Sequence, residues 1–296
     1  TGITWGTDTI KIVATALNAG FDHTADVQIG TATGTKDDGT VGSFLATVGL
    51  VELNNDINNN WAAAGNVAVT FASPSAALSI ANLQSSLQYD LTPDGAAGDI
   101  FVLGAKDDIL RDAAGNHVVT PNGGSDTIYV ASGNNTVKYA LRTDGAATSA
   151  TLTGADIISG FNEGADILSF DTSAVSTGAA GNKAITVFEA SGTVDVDTAN
   201  NAGVFVLETM TIAEGLTAAA TAIEAALTNA AADDSFIIVT DDGTDGYVIA
   251  WDDRSASGGD GDGVVDAAEL WVLAKVVGIS DFHGGGSAAT GDFTTY

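Results

Sequence analysis

Cysteine is absent from the 296-residue chain, so neither disulfides nor thiolate metal sites hold it together. Histidine is scarce: His23, His117 and His283 are too few for most zinc sites. Lys and Arg number 9 against 38 Asp and Glu, a formal net charge of -29, and this excludes nucleic acid and anionic membrane as partners, because both are bound through basic patches. No apolar run reaches about 18 residues, so no spanning helix and no membrane insertion are expected. Residues 1–11 lack the basic and apolar regions of a secretory signal, which suits a one-step exporter that reads an uncleaved C-terminus. Enzyme signatures are missing as well: no Gly-x-Ser-x-Gly elbow, no His-Glu-x-x-His, no phosphate-binding loop and no dinucleotide fingerprint. The expectation is a protein that is not an enzyme.

What is present describes a folded chain. Hydrophobic residues make up 45% and charged residues 16%, the reverse of a disordered composition. The length suggests two domains or one large β-domain. Many of the acids gather in Asp-Gly and Asp-Asp clusters inside expected loops. Left uncompensated, their repulsion opposes compaction, and oxygen ligands of this kind select hard cations. Calcium accepts the irregular shells of about six to eight oxygens that loops can offer, so calcium is the expected cofactor.

Thr92-Pro93-Asp94-Gly95 reads as a turn and sets an expected boundary, with an N-terminal β domain at 1–92 and a calcium-binding β domain at 93–296. Runs at 9–17, 44–53 and 67–72 look like strands, while 76–87 fits helix or strand. Thr211-Ile212-Ala213-Glu214 matches a capping box, and apolar positions 212, 216, 220, 223 and 227 predict one Ala-rich helix over about 212–231. Runs at 235–240 and 246–251 flank an acidic turn and predict a hairpin, with a further strand-like run at 270–277. The fold class expected is mainly β, a β-sandwich or β-roll-like arrangement with irregular calcium loops and that single helix.

From residue 98 onward acids fall into a pattern. Asp99-Ile100, Asp108-Ile109, Asp126-Thr127-Ile128, Asp156-Ile157 and Asp166-Ile167 each set an Asp ahead of an aliphatic residue, most of them shortly after a Gly. Gly permits the tight turn, Asp offers a carboxylate in it, and the aliphatic residue starts a short strand. These segments resemble the repeats-in-toxin family, whose nonapeptide builds a calcium-loaded β-roll. Gly123-Gly124-Ser125-Asp126-Thr127-Ile128 is the nearest approach to that repeat, and nine-residue periodicity is not sustained, so a regular β-roll is not expected. Residues 154–170 are similar to the Gly-x-Asp-x-Ile-x-x-Phe-x-x-Gly-x-Asp-x-Leu-x-Phe segment near the C-termini of type I secreted proteins. The later order of Ala-rich helix, hairpin, acidic loop and Val276-Val277-Gly278-Ile279-Ser280 is similar to the ends of secreted S-layer and related proteins. The resemblance covers residues 123–296. It implies calcium-triggered folding at the outside of a bacterial cell and self-assembly into a homopolymer, a layer or filament. An adhesin or biofilm-matrix module that binds a cell-surface glycan is the first alternative, and a fragment of a type I secreted hydrolase the second.

Candidate metal ligands follow from the same patterns. Residues 260–269 resemble the second part of an EF-hand loop, with Asp260, Asp262, Asp266 and Glu269 at its positions 3, 5, 9 and 12, and Gly258 where position 1 needs an acid. A solvated acidic turn is the plainer reading of that stretch. Asp156, Asn162 and Asp166 lie on successive turns that one cation can bridge, with Asp126 as a further candidate. There the plainer reading is an Asp that closes its turn through local hydrogen bonds. Asp99, Asp107, Asp108 and Asp252 are weaker candidates. Trp251 and Trp271 flank the acidic loop and read as cover for its apolar base, with a carbohydrate platform as the alternative.

Overall fold

The computed structural model describes 98–112, 114–145, 154–171, 186–190, 192–196, 202–211, 215–230, 234–254, 259–279, 282 and 292–295, and before residue 98 only strand segments between 9 and 92. The chain is mainly β, with one α-helix among the described residues. It divides into two compact units, one of Thr1–Thr120 with Thr127–Asn135, the other of Pro121–Asp126 with Thr136–Tyr296.

The first unit opens with β1 (Thr9–Ala14) and two short antiparallel pairs, β2 (Asp26–Val27) with β5 (Val48–Gly49) and β3 (Ala32–Thr35) with β4 (Val41–Phe44). It continues through β6 (Asn66–Phe71), β7 (Ser79–Ile80), β8 (Gln88–Thr92), β9 (Ile100–Val102), β10 (Ile109–Arg111), β11 (Val118–Thr120) and β12 (Thr127–Tyr129). Within this unit one sheet runs β1-β6-β8-β10-β12 and a second β7-β9-β11, all parallel. From β6 onward successive strands go to alternate sheets. Ile109 pairs with Thr127 and Ile100 with Val118, so in both sheets the chain returns to register 18 residues on.

Strands β9, β10, β11 and β12 are each three residues long, so pleating turns a single side chain inward from each. Leu110, Val119 and Ile128 are the buried centres of β10, β11 and β12, beside Tyr89, Leu91 and Phe101. No coil can bury its apolar side alone, and stacking the coils makes a continuous core. The turns stack as closely: a Cβ on Gly133 would lie 1.6 Å from the Gly115 carbonyl oxygen, one coil earlier.

The boundary expected at 92–95 does not coincide with this division. β8, which ends at Thr92, is hydrogen-bonded to β10 on the far side of that turn, with Asp90 opposite Ile109. Of the strand-like runs, 9–17 and 67–72 contain β1 and most of β6; within 76–87 the described part is β7, and the rest of that run lies outside the described residues, as does 50–53.

The second unit holds β13 (Thr136–Tyr139), β14 (Asp156–Ser159), β15 (Ile167–Phe170), β16 (Thr186–Ala190), β17 (Val194–Asp195), β18 (Ala202–Thr211), α1 (Leu216–Ala226), β19 (Leu227–Thr228), β20 (Ser235–Asp241), β21 (Gly246–Asp252), β22 (Leu270–Val277) and β23 (Phe293–Thr295). Its larger sheet runs β14-β22-β21-β20-β18-β16, and β13-β15-β23 form a parallel second sheet. The expected hairpin forms as β20 and β21, antiparallel with Ile238 opposite Ile249, and β22 adds antiparallel to β21. Every residue of β20 and β21 is buried, which accounts for their nearly unbroken apolar sequences. Phe205, Phe236 and Trp251 pack in sequence, with ring centroids 4.9 and 5.4 Å apart, and Leu216, Ala219 and Ile223 of α1 join the same core.

The helix is shorter than expected and begins later. β18 extends through Thr211, so the residue read as a helix cap ends a strand instead; 212–214 lie outside the described residues. Gly215, at φ 102°, precedes the first helical residue with no side-chain cap, and Leu227 leaves the helix in extended backbone to begin β19. Pairing with β20 outweighs the local capping preference. Among the described residues no helix is long and apolar enough to cross a membrane.

Phe236→Ala should lower unfolding free energy by about 3–5 kcal/mol, because two aromatic neighbours lose their partner. The exposed helix change Thr221→Ala should stay within about 0.5 kcal/mol. Denaturant titration of the two variants checks the contrast.

Candidate metal centre

The acidic loop joins β21 to β22, and a 3₁₀ turn at Ala267–Glu269 closes it, so its flanks are strand and short turn, not the two helices of an EF-hand. Asp253, Asp260 and Asp262 each direct a carboxylate oxygen into one space, with these atoms all within 4.8 Å of one another. Among the described residues this is the one such group of three or more acids, His or Cys. Calcium bonds oxygen at about 2.3–2.6 Å, so a single ion can reach all three.

Asp253 is buried and ties the loop down, its Oδ1 accepting the Gly261 N–H at 2.8 Å and its Oδ2 the Gly263 N–H at 2.8 Å. Gly259 passes so close that a Cβ there would lie 2.3 Å from the Asp253 carbonyl carbon. Asp260 and Asp262 are exposed; Asp260 Oδ1 accepts the Asp262 N–H and Asp262 Oδ1 the Val264 N–H. Glu269 is buried beneath them: Oε1 accepts the Asp260 N–H at 3.0 Å, and Oε2 accepts the Trp251 Nε1–H at 3.1 Å. Burial, reinforced by the Asp253 charge, raises its pKa. Asp266 caps the 3₁₀ turn with Glu269. The loop is also anchored to α1, since Glu224 accepts the Val265 N–H at 2.8 Å.

Asp253 supplies the acid absent at Gly258, which itself lies outside the described residues. The sequence signal was the Asp252-Asp253 doublet. Adjacent residues at a strand end point to opposite sides, so the two carboxylates part. Asp252 takes Arg254 at 2.7 Å together with Arg142, and although burial works against it these guanidinium groups hold its pKa below the ordinary value. Arg142 in turn stacks on the Trp271 ring at 4.2 Å, so that tryptophan covers an ion pair.

The other expected ligands close turns. Asp108 receives the Tyr89 N–H at 2.7 Å and the Gly104 N–H at 2.6 Å. Asp156 receives the Asp126 N–H at 2.9 Å and the Tyr139 hydroxyl at 3.1 Å. Asp166 receives the Asn162 N–H at 2.8 Å, and Asn162 is exposed. Asp156 opens β14 and Asp166 precedes β15, strands of different sheets with different partners, while Asp126 and Asp156 are brought together. Asp107 is exposed, and its carbonyl accepts the Gln88 side-chain amide. Asp99 turns toward the His117 ring, with its Oδ2 3.6 Å from Nδ1, and lies outside the acidic group that converges at Asp253. Two further buried turn acids, Asp144 and Asp292, escaped the sequence reading; they accept N–H groups of Ala140, Leu141 and Gly164.

No protein-family model matches the chain, and no curated protein matches it in sequence.

Burial pushes the Asp108 carboxyl up to about 6 even though two N–H donors hold it down. Burial and then the Asp126 charge put Asp156 well above the ordinary carboxylate range, and burial also raises Asp144 and Asp292. An acid whose pKa is higher in the folded than in the unfolded chain stabilises the fold fully below its unfolded value of 3.8, and for Asp108 that contribution is lost as pH rises through about 6. Melting temperature in a calcium chelator should therefore rise on acidification from about pH 7 to about pH 5, the reverse of ordinary acid unfolding. Asp108→Asn should remove part of that rise, as thermal melts across the range will show.

Proposed function

We propose that the chain is an extracellular, calcium-dependent structural protein of a bacterial surface, whose copies associate into a layer or filament. The convergence of the Asp253, Asp260 and Asp262 oxygens on one space carries the calcium part of this reading. The net charge of -29 supports it, since a divalent ion at the loop offsets repulsion that otherwise opposes folding. The parallel strands of the first unit support it too. The 18-residue advance from β9 to β11 and from β10 to β12 equals two nonapeptides, which favours a β-roll over a sandwich for residues 100–129.

Calcium would be held by the three aspartates with water completing the shell. Glu269 positions the loop backbone through Asp260 and links it to Trp251 in the core, while Glu224 links it to α1. Ion binding at such a loop adds directly to folding stability, by about 2.7 kcal/mol at a hundredfold excess over Kd. Association of copies rests on the resemblance to secreted surface proteins.

Calcium titration calorimetry on the full chain should show binding that the double substitution Asp260→Asn with Asp262→Asn weakens by at least about tenfold, equivalent to about 1.4 kcal/mol. Gly259→Ala, which displaces the loop from Asp253, should weaken it in the same direction. Sedimentation velocity in millimolar calcium should show large assemblies that a chelator reverses. A compact monomer that sediments identically in both buffers would sink the reading.

A further inference from the structure

His117, in the first unit, is buried to 1% exposure. Its Nε2 lies 3.0 Å from Asp112 Oδ1 and 3.0 Å from the Ala114 carbonyl oxygen. Its Nδ1 lies 3.6 Å from Asp99 Oδ2, and the two carboxylates are 0% and 2% exposed. Two further described neighbours are neutral, the Phe101 ring at 6.1 Å and Asn135, whose side-chain oxygen accepts the His117 backbone N–H at 3.1 Å. The polar atoms the described residues bring to the two ring nitrogens, Asp112 Oδ1, the Ala114 carbonyl oxygen and Asp99 Oδ2, are all acceptors. A neutral imidazole has one N–H and leaves its other lone pair pointing at a carboxylate, whereas an imidazolium has a donor on both sides.

We propose that His117 is carried as an imidazolium and serves as the built-in counter-cation of Asp99 and Asp112, a metal-independent latch that a proton closes and alkaline pH releases. The position fits that role. Asp99, His117 and Asn135 each stand just before a strand and are spaced by 18 residues, so the imidazole occupies a turn site that a carboxylate holds one coil earlier and an amide one coil later. A positive charge there removes the repulsion between the two acids without any ion from solution.

Burial works against the charged ring, but Asp112, the Ala114 carbonyl and Asp99 outweigh it and raise the His117 pKa above its ordinary value. A group whose folded pKa lies above the unfolded one stabilises fully below about 6.5 and loses that contribution as pH rises through the folded value. The latch is thus shut at mildly acidic pH and opens as pH rises through that folded value.

The test is an NMR titration of the histidine-labelled full chain in a calcium chelator, with His117 assigned by His117→Gln. One imidazole should titrate at least about half a pH unit above the ordinary 6.5. Asp112→Asn should bring that midpoint down by about one unit, a shift that a purely structural role does not cause and that remains readable if His117→Gln fails to fold. Wild-type melting temperature should fall by at least about 2 °C between about pH 6 and about pH 9, with the fall reduced in Asp112→Asn. A His117 midpoint at or below about 6.5 would mean a neutral ring facing a protonated acid and would overturn the proposal. So would a midpoint indifferent to Asp112→Asn, or one that moves with added calcium, which would give Asp99 to a metal.

Discussion

Buried carboxylates at the turns are the constraint on which the rest of the structure depends. An ionised Asp is an acceptor only, and taken out of water it must find N–H donors, a cation or a proton. Asp108, Asp156 and Asp166 all find backbone N–H groups at 2.6 to 2.9 Å, and those donors would otherwise be orphaned where the chain leaves one sheet for the other. The carboxylate satisfies the turn and the turn satisfies the carboxylate. Burial still leaves some of these acids with raised pKa values, so hydrogen bonds alone do not fully offset the lost hydration.

Three means of meeting that cost coexist in one chain. Asp252 has two arginines, Asp99 and Asp112 have an imidazole between them, and Asp253 has two backbone N–H groups with two exposed acids facing it. The last arrangement brings three carboxylate oxygens within 4.8 Å of one another, which is why, among the described residues, it is the one that reads as a cation site. The difference between these places lies in which neighbour arrives, not in the Asp itself.

That difference also explains how much the sequence could show. The β-rich character, the hairpin and the existence of one helix were legible, because apolar runs bounded by turn residues and helical spacing are strong over seven or more residues, as the runs of β20 and β21 are. The parallel coils were not, because a strand such as Ile109–Arg111 has one inward residue and no period of its own. The 18-residue repeat lives in backbone register, while the Gly and Asp positions that would announce it are partly replaced, the Gly98 position by Asn116 and the Asp99 position by His117 and Asn135. The helix start was misread because Thr211-Ile212-Ala213-Glu214 satisfies a local rule that β18 overrides through pairing with β20, where Thr211 stands opposite Asp241. Two of the three acids of the candidate metal centre were visible, as Asp260 and Asp262. Asp253 was not, since nothing in a doublet says which carboxylate faces the loop.

The doublet is settled by where the few positive charges sit. With 9 basic residues against 38 acids, a carboxylate that attracts two arginines is unusual. Arg254 follows Asp252 by two residues and therefore lies on its side of the strand end, and Arg142 reaches the same carboxylate from the loop after β13 while stacked on Trp271. Once Asp252 is held there, pleating sends Asp253 the other way, toward Gly261 and Gly263, whose positive φ of 74° and 77° turns their N–H groups onto it. The ion pair of Asp252 thus sets the direction of the residue that follows it. The geometry of the acidic loop is a consequence of arginine placement as much as of the loop's own Asp-Gly repeats, and a sequence with the same loop but without Arg142 and Arg254 would not be expected to present Asp253 to a cation.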